Sequence, residues 1–437
     1  MDWSRHEATA KRWREQTERY VREINQFVRV GKTQGWDAAG PQPEDPRTDE
    51  LGDAVADIVQ EANEAGRWRE LRERLPPAQA PFASRLNEWA VGIRNLSWLD
   101  EARVVATVGT AWRPESVWVC GLDGETEVID ALDVGVDPGR RWFALLVGES
   151  IRVHDGWGGP VVARLPVPRG DEDAPEGTET PDDRALVEQL IPLPDGSGVV
   201  VATSRGAFLV GESTTVRLCP TREELARTVA DWKYDEPLGL EEDMVHAAVD
   251  PRGRWIACGD QGSQHQVHRV TDGEVVARFG PIHSSYPHHA AFSPDGERAI
   301  FNSCHFYNGA TCVVRTEDIV GLEVPEYEEH IALLPLDGGC RVYDSSWVDG
   351  CFLLGDAHGY VRAVTPGGDG VWGHFVGSSI GGVDVSPSGD RLAVATAAGF
   401  LSLCERDDTP DPAQIGDSPF RERIRYVRWK DRPLMRW

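Results

Sequence analysis

Residues 283–312 read HSSYPHHAAFSPDGERAIFNSCHFYNGATC. They contain one complete repeat signal. An apolar run ends at Phe292, the tetrapeptide Ser293-Pro294-Asp295-Gly296 follows, and a second apolar run covers Ala299–Asn302. A proline presets φ early in a turn, and a glycine soon after supplies the left-handed residue, so the pattern predicts a tight hairpin. Around this hairpin the stretch crowds His283, His288, His289, His305 and Cys304. The turn bears on the fold, and the imidazoles and thiol bear on where a site would lie.

The same turn recurs on both sides. It reads Val136-Asp137-Pro138-Gly139, Leu193-Pro194-Asp195-Gly196, Val249-Asp250-Pro251-Arg252-Gly253 and Val385-Ser386-Pro387-Ser388-Gly389. Weaker members stand at Leu99-Asp100-Glu101 and Val348-Asp349-Gly350. A period near 40–45 residues with four strands per unit is the pattern of a β-propeller, in which each sheet buries its faces against its neighbours. Seven units begin near residues 96, 133, 186, 244, 288, 341 and 380, predicting an all-β, seven-bladed propeller over 93–437. The longer intervals carry insertions at 169–184, 221–243 and 316–330. The first is acidic and reads as a solvated tether. The second opens with the capping box Thr221-x-x-Glu224 and predicts a short helix with Leu225, Val229 and Trp232 on one face. An eight-bladed alternative joins a C-terminal hairpin within Arg423–Trp437 to strands around Phe82–Trp89. The sixteen tryptophans suit packing between blades.

Residues 1–92 form an N-terminal helical extension. Trp3, His6, Ala10, Trp13, Thr17, Tyr20, Ile24 and Phe27 step alternately by three and four, an a/d seam on one helix over 2–30. That seam packs on the protein's own body or offers itself to a partner or a second copy, as in a homo-oligomer. Residues 31–48 are rich in Gly and Pro and read as a linker. A second helix is expected from Thr48–Asp49 to Leu75, ended by Pro76-Pro77.

One resemblance follows from the repeats. In Ser150-Ile151-Arg152-Val153-His154-Asp155 and in Val267-His268-Arg269-Val270-Thr271-Asp272-Gly273, the chain resembles the third strand of a WD40 repeat, with His for the usual Trp. His283 stands nine residues before Phe292, the spacing of that family's Gly-His pair, with Pro281-Ile282 where the glycine would be. Residues 93–437 thus look like a divergent, bacterial-type WD40-like propeller. Gly355–Ala363 followed by Val371-Trp372 also resembles the repeats of quinoprotein-type propellers. The first resemblance implies a scaffold that binds proteins. It also implies structural roles for His283, Asp260 and Asp356.

Composition narrows the function. A net charge of −27 argues against nucleic acid and anionic membranes as partners. No apolar leader and no window of membrane-spanning length is visible, so a cytoplasmic location is expected. The eight cysteines are scattered with no Cys-x-x-Cys, which reads as buried free thiols. There is no P-loop, no Gly-x-Ser-x-Gly and no His-Glu-x-x-His.

Propellers gather the loops between second and third strands (b–c) and between blades (d–a) on one face. That rule brings Tyr286, His288, Cys304, His305, Tyr307, His358 and His374 into one sector, and places Trp112, Arg113 and Arg205 on the same face. These are the candidate binding residues for a protein or peptide. No cofactor is expected. The alternative is a metal- or cofactor-dependent enzyme, with a transition metal on His288, His305, His358 and Cys304.

Overall fold

The computed structural model describes residues 1–437 except 79–81, 83–85, 87–88, 182, 281–283 and 285. Seven antiparallel sheets follow one another along the chain, each with at least four strands in sequential order. Their innermost strands (a) are Ile93–Trp98, Asp133–Val136, Val187–Pro192, His246–Val249, Tyr286–Phe292, Val342–Val348 and Ile380–Val385. These are blades 1 to 7, the arrangement that the WD40-like resemblance implies. Four of the five strong turns are built alike. Gly196, Gly253, Gly296 and Gly389 each have φ between 64° and 82° and donate N–H to the carbonyl three residues back. At the fifth, Arg140 takes the left-handed position (φ 58°) in place of Gly139. Asp137 holds that turn by accepting the N–H groups of Gly139 and Arg141 at 2.8 and 2.7 Å.

Four antiparallel strands in chain order make each blade, Glu323–Val324 from the blade 5 insertion adds a parallel edge strand to blade 4, and Ala90 bridges Trp429 at the ring closure. Phe420–Val427 is the fourth strand (d) of blade 7, and Met435–Arg436 adds a fifth beside it. This replaces the eight-bladed alternative, because the C-terminal hairpin is already spent on blade 7. Residues 82–89 lie largely outside the described residues. Blades 7 and 1 meet through Asp384, whose carboxylate accepts Trp98 N–H at 2.8 Å and also the guanidinium of Arg140 from the blade 2 turn at 2.8 Å.

The helical extension covers that closure. Helix α1 (Glu7–Gln34) is followed by α2 (Trp36–Ala39), α3 (Asp49–Glu64) and a short α4 (Leu71–Arg74). Trp3, Ala10, Trp13, Thr17 and Ile24 are buried as the seam predicts, but Tyr20 and Phe27 are half-buried while Val21 and Gly31 are buried instead. A straight helix at 3.6 residues per turn drifts off a 3.5-residue seam in this way. Trp13, Val55, Val59 and Phe82 form one core with Trp429, Met435 and Trp437. Farther along α1, Asn25 ties to the blade 7 loop, donating to Gln414 O at 3.0 Å and accepting from Gly416 N–H at 2.9 Å. The seam offered to a second copy is therefore occupied by the chain's own propeller.

Three local expectations change. The 31–48 linker begins inside α1, and the Trp36 ring lies where a Cβ on Gly31 would be, so α2 folds back onto the first helix. The second helix stops at Glu64 instead of Leu75. Gly66 at φ 69° and the Arg67 N–H bonded to Ala62 O end it. The loop 169–184 is pinned, not tethered. Arg205 donates to Arg169 O at 2.7 Å and Pro181 O at 3.0 Å, and Arg217 donates to Glu172 O at 3.1 Å. Thr178–Glu179 from this loop pairs with Leu238–Gly239 from the next insertion. Among the described residues no helix is long and apolar enough to cross a membrane.

Candidate functional site

The b–c loop of blade 5 is a two-residue hairpin tip, with His305 paired to Asn308 across Phe306 and Tyr307. Phe306 has φ 53° and is 72% exposed, and Tyr307 is 62% exposed. A bulky side chain in the left-handed region is strained where Gly or Asn would not be. His305 is exposed, stacks on Tyr286 at 6.0 Å and meets Phe306 edge-on at 4.7 Å. Tyr307 reaches toward blade 6, with its ring 6.4 Å from that of His358. Backbone bonds fix this approach. Arg341 N–H donates to Tyr307 O and Ala357 N–H to Arg341 O, both at 2.9 Å.

Tyr286, His305, Tyr307 and His358 therefore share one rim. Other candidates leave it. His288 is half-buried, bonded through Nδ1 to Val342 O at 2.7 Å and packed edge-on against Tyr343. Burial, with Arg341 beside it, holds the His288 imidazole well below its usual range. Cys304 is fully buried at the end of its strand, and burial pushes its thiol up. His374 is buried within blade 6 strand d, bridged to Gly416, and burial pulls it down to about 4. Arg205 is buried and committed to the 169–184 loop. Trp112 (66% exposed) and Arg113 lie open at the b–c loop of blade 1. His283 lies outside the described residues.

The proposed metal set of His288, His305, His358 and Cys304 does not come together. Two of its members point into packed strands. Among the described residues, the one group of three or more His, Cys, Asp or Glu suited to an ion is Cys340, Asp356 and His358. Cys340 was not singled out because it stands apart from the histidine-rich stretch. The loop rule could have found it, since it lies in the d–a connection beside the b–c loop of blade 6.

Most of the dense histidines serve the interior. His268 and His154, standing where the WD40 pattern has Trp, each donate through Nδ1 to a glycine carbonyl five residues on: Gly273 at 2.9 Å and Gly159 at 3.0 Å. Cys258 and His268 are neighbouring thiol and imidazole groups. Burial raises the Cys258 thiol, but the Cys219 and His268 side chains beside it outweigh that and lower it. The pair resembles a nucleophile with its base, yet both residues are sealed from solvent, so no substrate reaches them. Asp260 accepts the Cys219 thiol at 2.9 Å and Gly262 N–H at 2.7 Å, a structural role like the one the resemblance assigns it.

The second insertion exposes Trp232, which its helical spacing sets on one face with Leu225 and Val229, and Tyr234 beside it. In its helix, Arg222–Asp231, Leu225 is the buried residue. Trp232 is exposed, donates its indole N–H to Glu236 O and packs on Tyr234, which is 69% exposed. A cavity of about 600 Å³ lies against the outer strands of blade 5, lined by His265, Phe301, Ser303, Leu336 and Asp337 among others.

No family model matches the chain, and no curated protein matches it. Among solved structures it is similar to the β-propeller domain of Cps50 (Swd1) from Myceliophteria thermophila, at 11% identity and a TM-score of 0.48, covering 69% of this chain and 92% of that one.

Proposed function

We propose that the protein is a non-catalytic scaffold that binds a protein or peptide on the face formed by the b–c and d–a loops. Phe306 carries this reading. Folding alone favours Gly or Asn at a left-handed hairpin tip, whereas this tip displays a large, strained, solvent-facing aromatic ring. Exposed aromatic side chains that cost little entropy to order are the usual anchors of protein interfaces. Tyr307, Trp112, Trp232 and Tyr234 are further exposed rings, in b–c and d–a connections of the propeller. The chain's acidity favours a partner whose contact surface is basic around an apolar centre. The helical extension braces the ring, since its apolar stripe is already covered.

The test is quantitative capture of lysate proteins on immobilised wild type and on a Phe306→Asn/Tyr307→Ser double variant. Proteins retained by wild type and at least about tenfold less by the variant support the reading. Equal retention on both removes this rim from the interface.

A further inference from the structure

Cys340 lies between strand d of blade 5 and strand a of blade 6, Asp356 ends strand b of blade 6, and His358 sits in the turn that follows. Their donor atoms all lie within 4.8 Å of one another, and Cys340 Sγ is 3.4 Å from His358 Nδ1. Ligands of one tetrahedral zinc ion stand about 3.3–3.8 Å apart, so the sulfur–nitrogen pair already has the required spacing. Asp356 is fully buried and fixed, with Oδ1 accepting His358 N–H at 2.8 Å and Tyr360 N–H at 3.0 Å. Its Oδ2 has no aligned hydrogen bond, although Arg362 Nε stands 3.1 Å away.

We propose that Cys340, Asp356 and His358 form a three-ligand site for zinc or a similar divalent transition ion, with a fourth position open to solvent. Thiolate, imidazole and carboxylate together select such an ion over magnesium or calcium, which take oxygen donors. The carboxylate is buried, the thiol half-buried and the imidazole exposed, so an ion enters from solvent and its free position faces outward. Charge fits as well. Asp356 and Asp337 both face Arg362, and a bound divalent cation adds positive charge beside the two carboxylates. Arg362 bridges Asp337 at 2.7 Å and steadies Asp356 from behind. The site stands whether or not a protein docks on this face.

The experiment strips the full chain with a chelator and titrates it with Co²⁺, following the thiolate-to-cobalt charge-transfer band, then displaces cobalt with Zn²⁺. About one equivalent should bind per chain. Cys340→Ser should abolish the band. His358→Ala changes an exposed side chain, should keep the wild-type melting curve and should weaken affinity at least about tenfold. No band from wild type in excess cobalt, or binding unchanged in folded His358→Ala, overturns the proposal. Should Cys340→Ser fail to fold, His358→Ala decides the matter.

Discussion

Two groups of imidazoles and thiols stand in neighbouring blades and behave in opposite ways. In the interior of blades 3 to 5, His246, His265, His268, His289, Cys219 and Cys258 are buried, each inside a packed sheet or its bonded edges. At the rim of blades 5 and 6, His305, Tyr307 and His358 are exposed, on loops joined to each other by backbone bonds. The two groups look alike in sequence. Their difference teaches that local richness in reactive side chains measures neither access nor purpose. Strand register decides which of them meets solvent.

The sharpest way to break the contrast is a pair of phenylalanines. Phe301 packs edge-on against Phe279 at 4.6 Å and beside His265 at 5.2 Å, inside the sealed group. Phe301→Ala should cost about 3–5 kcal/mol in urea unfolding. Phe306→Ala, five residues later, should cost nothing measurable. Similar losses at both positions would erase the distinction between interior and rim.

A smaller effect should appear with pH. Burial holds the His246 imidazole down to about 4 and that of His289 down to about 3. Unfolding restores both to about 6.5. Below that value the unfolded chain takes up protons that the fold refuses. This share of stability is complete above pH 6.5 and is lost as pH falls toward the folded values. Relative to His289→Gln, wild type should lose about 1.4 kcal/mol per pH unit between roughly pH 6 and pH 4, measured by denaturant titration. The comparison of variants matters because burial raises the carboxyl groups of Asp344 to about 7 and Glu242 to about 8, which gives the opposite slope. Parallel pH profiles for wild type and His289→Gln would show that His289 titrates freely.

The smallest effect has an unusual sign. Phe306→Asn should raise stability by up to about 1 kcal/mol, because Asn adopts the left-handed region with less strain. A loss on this substitution would mean that the ring packs in the fold after all. It would remove the observation on which the binding reading rests.

The blades were legible because their turns are local chemistry. Ser293-Pro294-Asp295-Gly296 dictates its own hairpin, with Ser293 Oγ accepting Arg298 N–H at 3.0 Å and Gly296 in the left-handed region. The site was less legible because side-chain direction is not local. A bulge between Pro287 and His289 shifts the register of blade 5 strand a, so alternation along the sequence does not say which imidazole turns inward. His374 was hidden by the blade 7 loop and α1, an arrangement between distant segments that no spacing encodes. Cys340 and His358 meet across the d–a connection and the b–c turn. That contact needed the blade boundary to be placed first. The end of α3, by contrast, was written in Ala65-Gly66 and was overlooked in favour of the more conspicuous Pro76-Pro77.

The covered ring closure has a consequence for how the chain is made. Trp3 and Trp13 leave the ribosome long before Trp429, Met435 and Trp437, which complete the core they share with the rest of the extension. Helices α1 and α3 pack on each other, but the propeller side of their shared core is absent until the last blade forms. Their docking is among the last events of folding, and the apolar stripe they carry stays available to chaperones until then. The extension thus acts as a latch set only when the seventh blade is in place.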